Sequence, residues 1–377
     1  MEIYLDNAAT TRPRKEVLDV MAACEPYYGN PSSLHALGRQ SDESIHYARQ
    51  QIATAINAKP NEVIFTSSAT ESNNLALLGY MDANKRKGTH IITTQVEHAS
   101  VLNTTKYLYG MGYDITYLPV DHEGRINVSH LEDSIDRDTI LISVIFANNE
   151  LGTLQPIKEI GRIARANGIC FHTDAVQAIG HCDIDVDEIG IDMLSIAGHK
   201  IYTPKGIGAM YVRENIKLSP IIHGGGQEYG LRSGTENVQG IVGLGKAVEL
   251  VQNESTASHM LTLKNKLISE IQEIPGTHIN SPEHNSLDNI VNVRFDGVDG
   301  EELFLMLSAR GIYVSSGSAC SSNKSGPSHV LTAIGLSRDE AYSSLRFSFG
   351  RYNTPEEIDI ALPVLRELID NLRKDKF

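Results

Sequence analysis

The stretch "TILISVIFANNELGTLQPIKEIGRIARANGICFHTDAVQAIG", residues 139–180, decides the fold. It opens on "TILISVIFA" (139–147), which is apolar almost without interruption and rich in β-branched residues. A strand covered on both faces reads this way, whereas a half-exposed strand alternates. "PIKEIGRIARANG" follows, with Pro156 at its start and Gly168 at its end, the pair that marks helix termini. "GICFHT" (168–173) is a second buried strand. Strand, helix, strand is the unit of a parallel sheet.

The same alternation extends outward from about residue 60 to 215. "EVIFT" (62–66), "HIITT" (90–94), "DITYL" (114–118), "IDMLSIA" (191–197) and "GIGAMYV" (206–212) read as strands. Helical patterns such as "TESNNLALLGYMDANKRK" separate them. The pattern predicts an α/β protein with a doubly wound sheet. A glycine-rich stretch, "HGGGQEYGLRSGTEN" (223–237), interrupts it, and one long amphipathic helix is expected from about 238 to 274. From about 276, "NIVNVRF", "GEELFLMLSARG", "SLRFSF" and "PEEIDIALPVLRELIDNLRK" predict a smaller α+β domain.

With 377 residues, 41% hydrophobic and 21% charged, the chain is long enough for two domains and reads as globular. It has no apolar run of transmembrane length, and "MEIYLDNAATTRPRK" lacks the pattern of a secretory signal. A cytoplasmic location is expected, without a membrane partner. The net charge of −14 argues against direct nucleic-acid binding, which needs a basic surface. Of the four cysteines, no pair has C-x-x-C spacing, so neither a disulfide framework nor a metal site is expected. Cys170, in an apolar run, reads as a buried small hydrophobe.

Four segments carry chemistry. Lys200, in "AGHKIYTPKG", follows a strand and lies between glycine-bearing turns, where an amine could reach a carbonyl as a Schiff base. Asp174, in "CFHTDAVQAIG", ends a strand, where α/β folds place ligands; a carboxylate there can keep a pyridine nitrogen protonated. "FTSSATESNN" runs strand, turn, helix, and the helix start with Thr70 suits a phosphate. His98, in "TQVEHASV", could stack on a planar ring and shuttle protons. Singly, each has a bland explanation: a surface lysine, an N-cap aspartate, a capping box, a structural histidine. Jointly they describe a pyridoxal-phosphate site. Cys320, in "SSGSACSSN" (315–323), is a thiol among small polar neighbours, which predict a loop on which it can travel.

These segments, with "YLDNAATT", "YGNPSSLH", "ANNELGTLQPI", "GGGQE", "RSGTEN" and "LRFSFGRYNT", resemble the cysteine desulfurases of NifS/IscS type within the class-V aminotransferases. The likeness runs from residue 3 to about 370. It implies a fold-type-I pyridoxal 5'-phosphate homodimer that converts L-cysteine to L-alanine and leaves a persulfide on Cys320. The implied large domain is 15–258; residues 1–14 and 259–377 form the small one, with the cysteine loop. Lys200 would carry the cofactor and move the proton at the substrate Cα. Asp174 would pair with the ring nitrogen, Gln177 with the ring hydroxyl oxygen, and His98 would stack. Ala69, Thr70 and His199 would line the phosphate, joined by Thr235 of the neighbouring subunit. Asn149 would lie beside cofactor and substrate, and Arg346 would clamp the substrate carboxylate. The sulfur would pass to a protein acceptor such as an iron–sulfur scaffold or a thiolation enzyme.

Three positions depart from the family pattern: Ala197 where a serine usually donates to the phosphate, and Thr203 and Ser68 where glycine is common. The first removes a donor; the other two are expected to resist a positive φ and shift their loops. Selenocysteine lyase is a neighbouring reading, and a weakened cofactor-binding paralogue a more distant one. An aminotransferase would leave Cys320 without a task.

Overall fold

The computed structural model describes residues 2–254, 256–316 and 326–374. Cys320 and its neighbours lie outside the described residues. The strands, in chain order, are β1 (Ile3–Tyr4), β2 (Val63–Thr66), β3 (His90–Thr94), β4 (Asp114–Leu118), β5 (Thr139–Ser143), β6 (Cys170–Asp174) and β7 (Met193–Ala197). They continue with β8 (Gly208–Val212), β9 (Thr277–Ile279), β10 (Ile290–Phe295), β11 (Ile312–Tyr313), β12 (Ser315–Ser316) and β13 (Ser344–Ser348).

β2 to β8 form one sheet in the order β2-β8-β7-β6-β5-β3-β4. β8 is antiparallel to both neighbours, and the other pairings are parallel. The five residues of β3, β5, β6, β7 and β8 are buried throughout, which explains their unbroken apolar spelling. The helix Ile157–Asn167 starts after Pro156 and stops at Gly168, whose φ of +65° only glycine adopts without cost. Its buried residues Ile157, Ile160, Gly161 and Ala164 recur at helical spacing and cover the sheet.

β5 is shorter than the apolar run 139–147. Past Ser143 the chain leaves the ladder, pairing Ala147 with Leu154 across a tight turn in which Asn148 Oδ1 accepts from the amides of Glu150 and Leu151. The long helix expected over 238–274 is two helices, Val238–Asn253 and Ala257–Ile271. At the break Glu254 is extended, and its carboxylate receives both Nη groups of Arg14 at 2.8 Å. Arg14 is 1% exposed, so its charge needs partners, and Glu254 leaves the helix to supply one.

A second sheet, antiparallel in the order β12-β13-β10-β9, has its own core, with Leu263, Leu267, Leu303, Leu307, Leu365 and Ile369 from three helices packed on it. β1 pairs with β11, so the first residues of the chain join this sheet's side of the molecule. Among the described residues, no helix is long and apolar enough to cross a membrane.

Candidate active site

The carboxyl ends of the large sheet's parallel strands converge on a cavity of about 330 Å³. Ala69 and Thr70 follow β2, His98 follows β3, Asn149 follows β5, Asp174 and Gln177 close β6, and His199 and Lys200 follow β7; all line it. Arg346 enters from β13 of the other sheet. Residues scattered over nearly 280 positions are thus brought together by the topology. Thr235 is exposed and does not line the cavity.

Lys200 Nζ donates to the carbonyls of Ala8 (2.5 Å) and Ala9 (2.7 Å), so the "DNAATT" turn seats the amine. Gln177 Nε2 also donates to Ala8 O, at 2.9 Å. Asp174 is 3% exposed. Its Oδ2 accepts from Asn73 Nδ2 at 2.7 Å and its Oδ1 from the Val176 amide at 3.1 Å. A buried carboxylate at the floor of a cavity suits a cationic ring nitrogen.

His98 is oriented by a chain that sequence reasoning missed. Asn73 Nδ2 donates to Ser100 Oγ at 2.8 Å as well as to Asp174. Ser100 Oγ lies 2.8 Å from His98 Nδ1, and the Ser100 amide donates to that same nitrogen at 3.2 Å. Nδ1 is therefore the acceptor, and the imidazole proton sits on Nε2. Burial lowers the His98 pKa, an effect Asp174 opposes and Lys200 and His329 reinforce, so the ring is neutral at pH 7. Burial likewise lowers His199, to about 4, with the Lys200 charge acting in the same sense.

Glu97, fully buried beside His98, goes the other way. Burial raises its pKa to about 8, against the pull of the Ile145 amide and the Thr94 hydroxyl, both donating to Oε1 at 2.8 Å. At the helix start after β2, Ser68 Oγ accepts from the Glu71 amide. Glu71 bonds back to the Ser67 amide at 2.9 Å and to Arg232 Nε of the glycine-rich stretch at 2.9 Å. The first amides of that helix have no acceptor within the helix, which suits an anion.

The concern over Ser68 and Thr203 does not hold. Ser68 has φ −172°, extended backbone open to any residue. In the second turn the positive φ falls on Tyr202 (+71°), not on Thr203. Gly198 makes room instead: a Cβ there would sit 2.4 Å from Thr203 Oγ1.

Arg346 is 3% exposed; Nη1 donates to Asn149 O at 2.7 Å and Nη2 to Asp6 Oδ1 at 2.8 Å. Its Nε is buried without a partner among the described residues. The guanidinium is thus held through both Nη groups in the wall of the cavity.

This architecture is that of a fold-type-I transferase. The chain belongs to the class-V aminotransferase family, whose model matches residues 3–361. A protein of Methanosarcina thermophila named cysteine desulfurase IscS is 51% identical, over 98% of this chain and 93% of its own length. A solved structure titled NifS-like protein superposes with a TM-score of 0.93 at 40% identity, covering 98% of this chain and all of that one. Another, titled SspA in complex with cysteine, gives 0.84 at 43% identity, covering 94% and 100%.

Proposed function

We propose that the chain is a pyridoxal-phosphate-dependent cysteine desulfurase. The carrying observation is the gathering of Lys200, Asp174, His98 and Arg346 around one cavity. Relatives similar over nearly the whole chain bear that name, and one structural neighbour was solved with cysteine.

The residues present fit the cofactor. Asp174 would hold the protonated ring nitrogen, His98 would cover the ring, and Gln177, with one amide proton still unassigned, would meet the ring hydroxyl oxygen. The helix start at Ala69 and Thr70, with His199, would hold the phosphate. Ala197 supplies no hydroxyl there, so the backbone amides carry more of that task. Bound at this site, pyridoxal phosphate supplies an electron sink for the carbon framework of an amino acid.

The chain's own residues supply the rest. Arg346 orients the substrate by its carboxylate, beside Asn149. Lys200 moves the proton at the substrate Cα, and His98, neutral with its proton on Nε2, can donate toward the cavity. Asp174 and Asn73 keep the floor of the cavity polar.

The thiol of Cys320 then takes the sulfur. A bond forms between Cys320 Sγ and the substrate sulfur while the substrate C–S bond breaks. Its electron pair stays on carbon, which takes a proton, so cysteine plus thiol becomes alanine plus persulfide. The sulfur is oxidised, the carbon is reduced, and no further redox partner is required.

A large unit of residues 15–258 would hold the cofactor, with residues 1–14 and 259–377 as the smaller unit. Thr235, exposed here, would serve the cavity of a second copy. Leu34 at 89% exposure and Tyr229 at 58% are large apolar surfaces that such a homodimer would cover. A protein sulfur acceptor in the cytoplasm would take the persulfide sulfur onward.

The test is the fate of L-cysteine with the reconstituted protein. Alanine is expected in step with released sulfur, and Lys200→Ala should reduce both by several orders of magnitude. Turnover to pyruvate and ammonia, or alanine formation undiminished in Lys200→Ala, would reject the reading.

A further inference from the structure

The turn that carries Asn149 also grips a distant helix. Glu150, buried, accepts on Oε2 from Ser328 Oγ at 2.5 Å. The Ser328 oxygen in turn accepts from the amides of Val330 (3.1 Å) and Leu331 (3.2 Å), capping the helix His329–Ala333. With its lone pairs on those amides, the single hydroxyl proton goes to Glu150. The next residue makes a second contact: His329 Nε2 lies 2.9 Å from Glu97 O, and a carbonyl only accepts, so the ring donates. Apolar contacts close the joint, since Val330 and Leu331 cluster with Val96 and Leu151, the neighbours of Glu97 and Glu150.

The start of this helix is therefore docked on two turns that belong to the cavity. One presents His98. The other presents Asn149, whose carbonyl holds Arg346. Neither Glu150 nor Ser328 lines the cavity. Ser328 stands eight positions after Cys320.

We propose that Glu150 and Ser328 are positioning residues for sulfur transfer: their hydrogen bond fixes where Ser328, eight positions after Cys320 in sequence, is seated relative to His98 and Arg346. The inference rests on the desulfurase reading above. The bond contributes to the transfer step and not to holding cofactor or cysteine. Burial pushes the Glu150 carboxyl above its ordinary range, and the Ser328 hydrogen bond, with the Arg346 guanidinium nearby, pulls the other way and satisfies the buried oxygen.

The experiment compares the holoenzyme with Glu150→Ala, Ser328→Ala, the pair combined, and the conservative Glu150→Gln and Ser328→Thr. Alanine formation, KM for L-cysteine and cofactor absorbance are read for each. Each alanine variant should lower kcat by about 10-fold, the scale of one buried hydrogen bond. The combined variant should be no worse than either, because both remove one bond. KM and absorbance should stay put. Glu150→Gln keeps an acceptor and Ser328→Thr keeps the hydroxyl, so both should recover most of kcat. Should Glu150→Ala not fold, Ser328→Ala reads the same bond from the other side. Wild-type kcat in Ser328→Ala, a KM or cofactor loss that follows kcat, or additive effects in the combined variant would overturn the inference. An inactive wild type would instead strike the desulfurase reading.

Discussion

His98 can present only one edge to the cavity. Its Nδ1 is taken by Ser100, so the proton available to the cavity it lines is the one on Nε2. Ser100→Ala removes the hydroxyl that links this histidine to Asn73 and Asp174, and kcat should fall by about 10-fold while the cofactor stays bound. Alanine formation and absorbance, measured together, separate the two effects; loss of absorbance would mean that Ser100 serves binding instead. The histidine itself was legible in "EHASV", because a polar residue opening a helix after a strand is a site position. Asn73 and Ser100 were not, because an Asn inside a helix and a Ser in a helical first turn read as ordinary helix residues. Glu97 gives a pH signature. Its folded pKa of about 8 exceeds the ordinary carboxylate value, so the unfolded chain ionises first as pH rises. The stability it contributes is full below about pH 4.5 and is lost as pH climbs toward 8. Glu97→Gln cannot ionise. Relative to wild type, its unfolding free energy should therefore improve by about 1 kcal/mol per pH unit between pH 5 and pH 8. Urea titrations across that range check this; a constant difference would mean that Glu97 is charged in the folded protein.

At the scale of elements, helix ends and buried strands were the readable part. Pro156 and Gly168 bracket the helix Ile157–Asn167 because each fixes a backbone conformation locally. The strands could be read because burial on both faces removes polar residues from them. What could not be read was decided by contacts far away in sequence. The break between Val238–Asn253 and Ala257–Ile271 falls among polar residues common at helix ends, Asn253 and Thr256, but the partner that holds it is remote: Glu254 pairs with Arg14, 240 residues earlier. Arg351 adds a third contact to Glu254, at 3.1 Å. The cluster joins the N-terminal segment, the linker between the helices and the segment after β13. Glu254→Ala should cost about 2 kcal/mol in urea unfolding, since it strips a buried guanidinium of a bidentate partner while Glu16 remains. A change below about 0.5 kcal/mol would show that Glu16 alone suffices.

The whole molecule carries a net charge of −14, yet its cavity is lined by two cationic side chains, Lys200 and Arg346, with Asp174 at its floor and Asp6 paired to Arg346. Two fixed cations in one cavity of an acidic protein suit small anions, and a phosphate and an amino-acid carboxylate are two of them. That contrast is invisible to composition; it follows from a topology that brings the ends of β2, β3, β5, β6 and β7 together and adds β13 from the second sheet. Thr235 marks a similar limit: it is exposed and lies outside the cavity, and the role the family resemblance gives it would need a second copy of the chain. Relatives named cysteine desulfurase and the site's residues agree on the reaction, and the assignment turns on where the sulfur goes. The most direct measurement is mass spectrometry of the cofactor-loaded protein after a brief exposure to L-cysteine without reductant. The account predicts one additional sulfur atom on the peptide containing Cys320, released by reductant, and neither that adduct nor alanine in Cys320→Ser, whose cofactor absorbance is unchanged. Extra sulfur on Cys24, Cys170 or Cys182 instead, or alanine formed by Cys320→Ser at the wild-type rate, would contradict it.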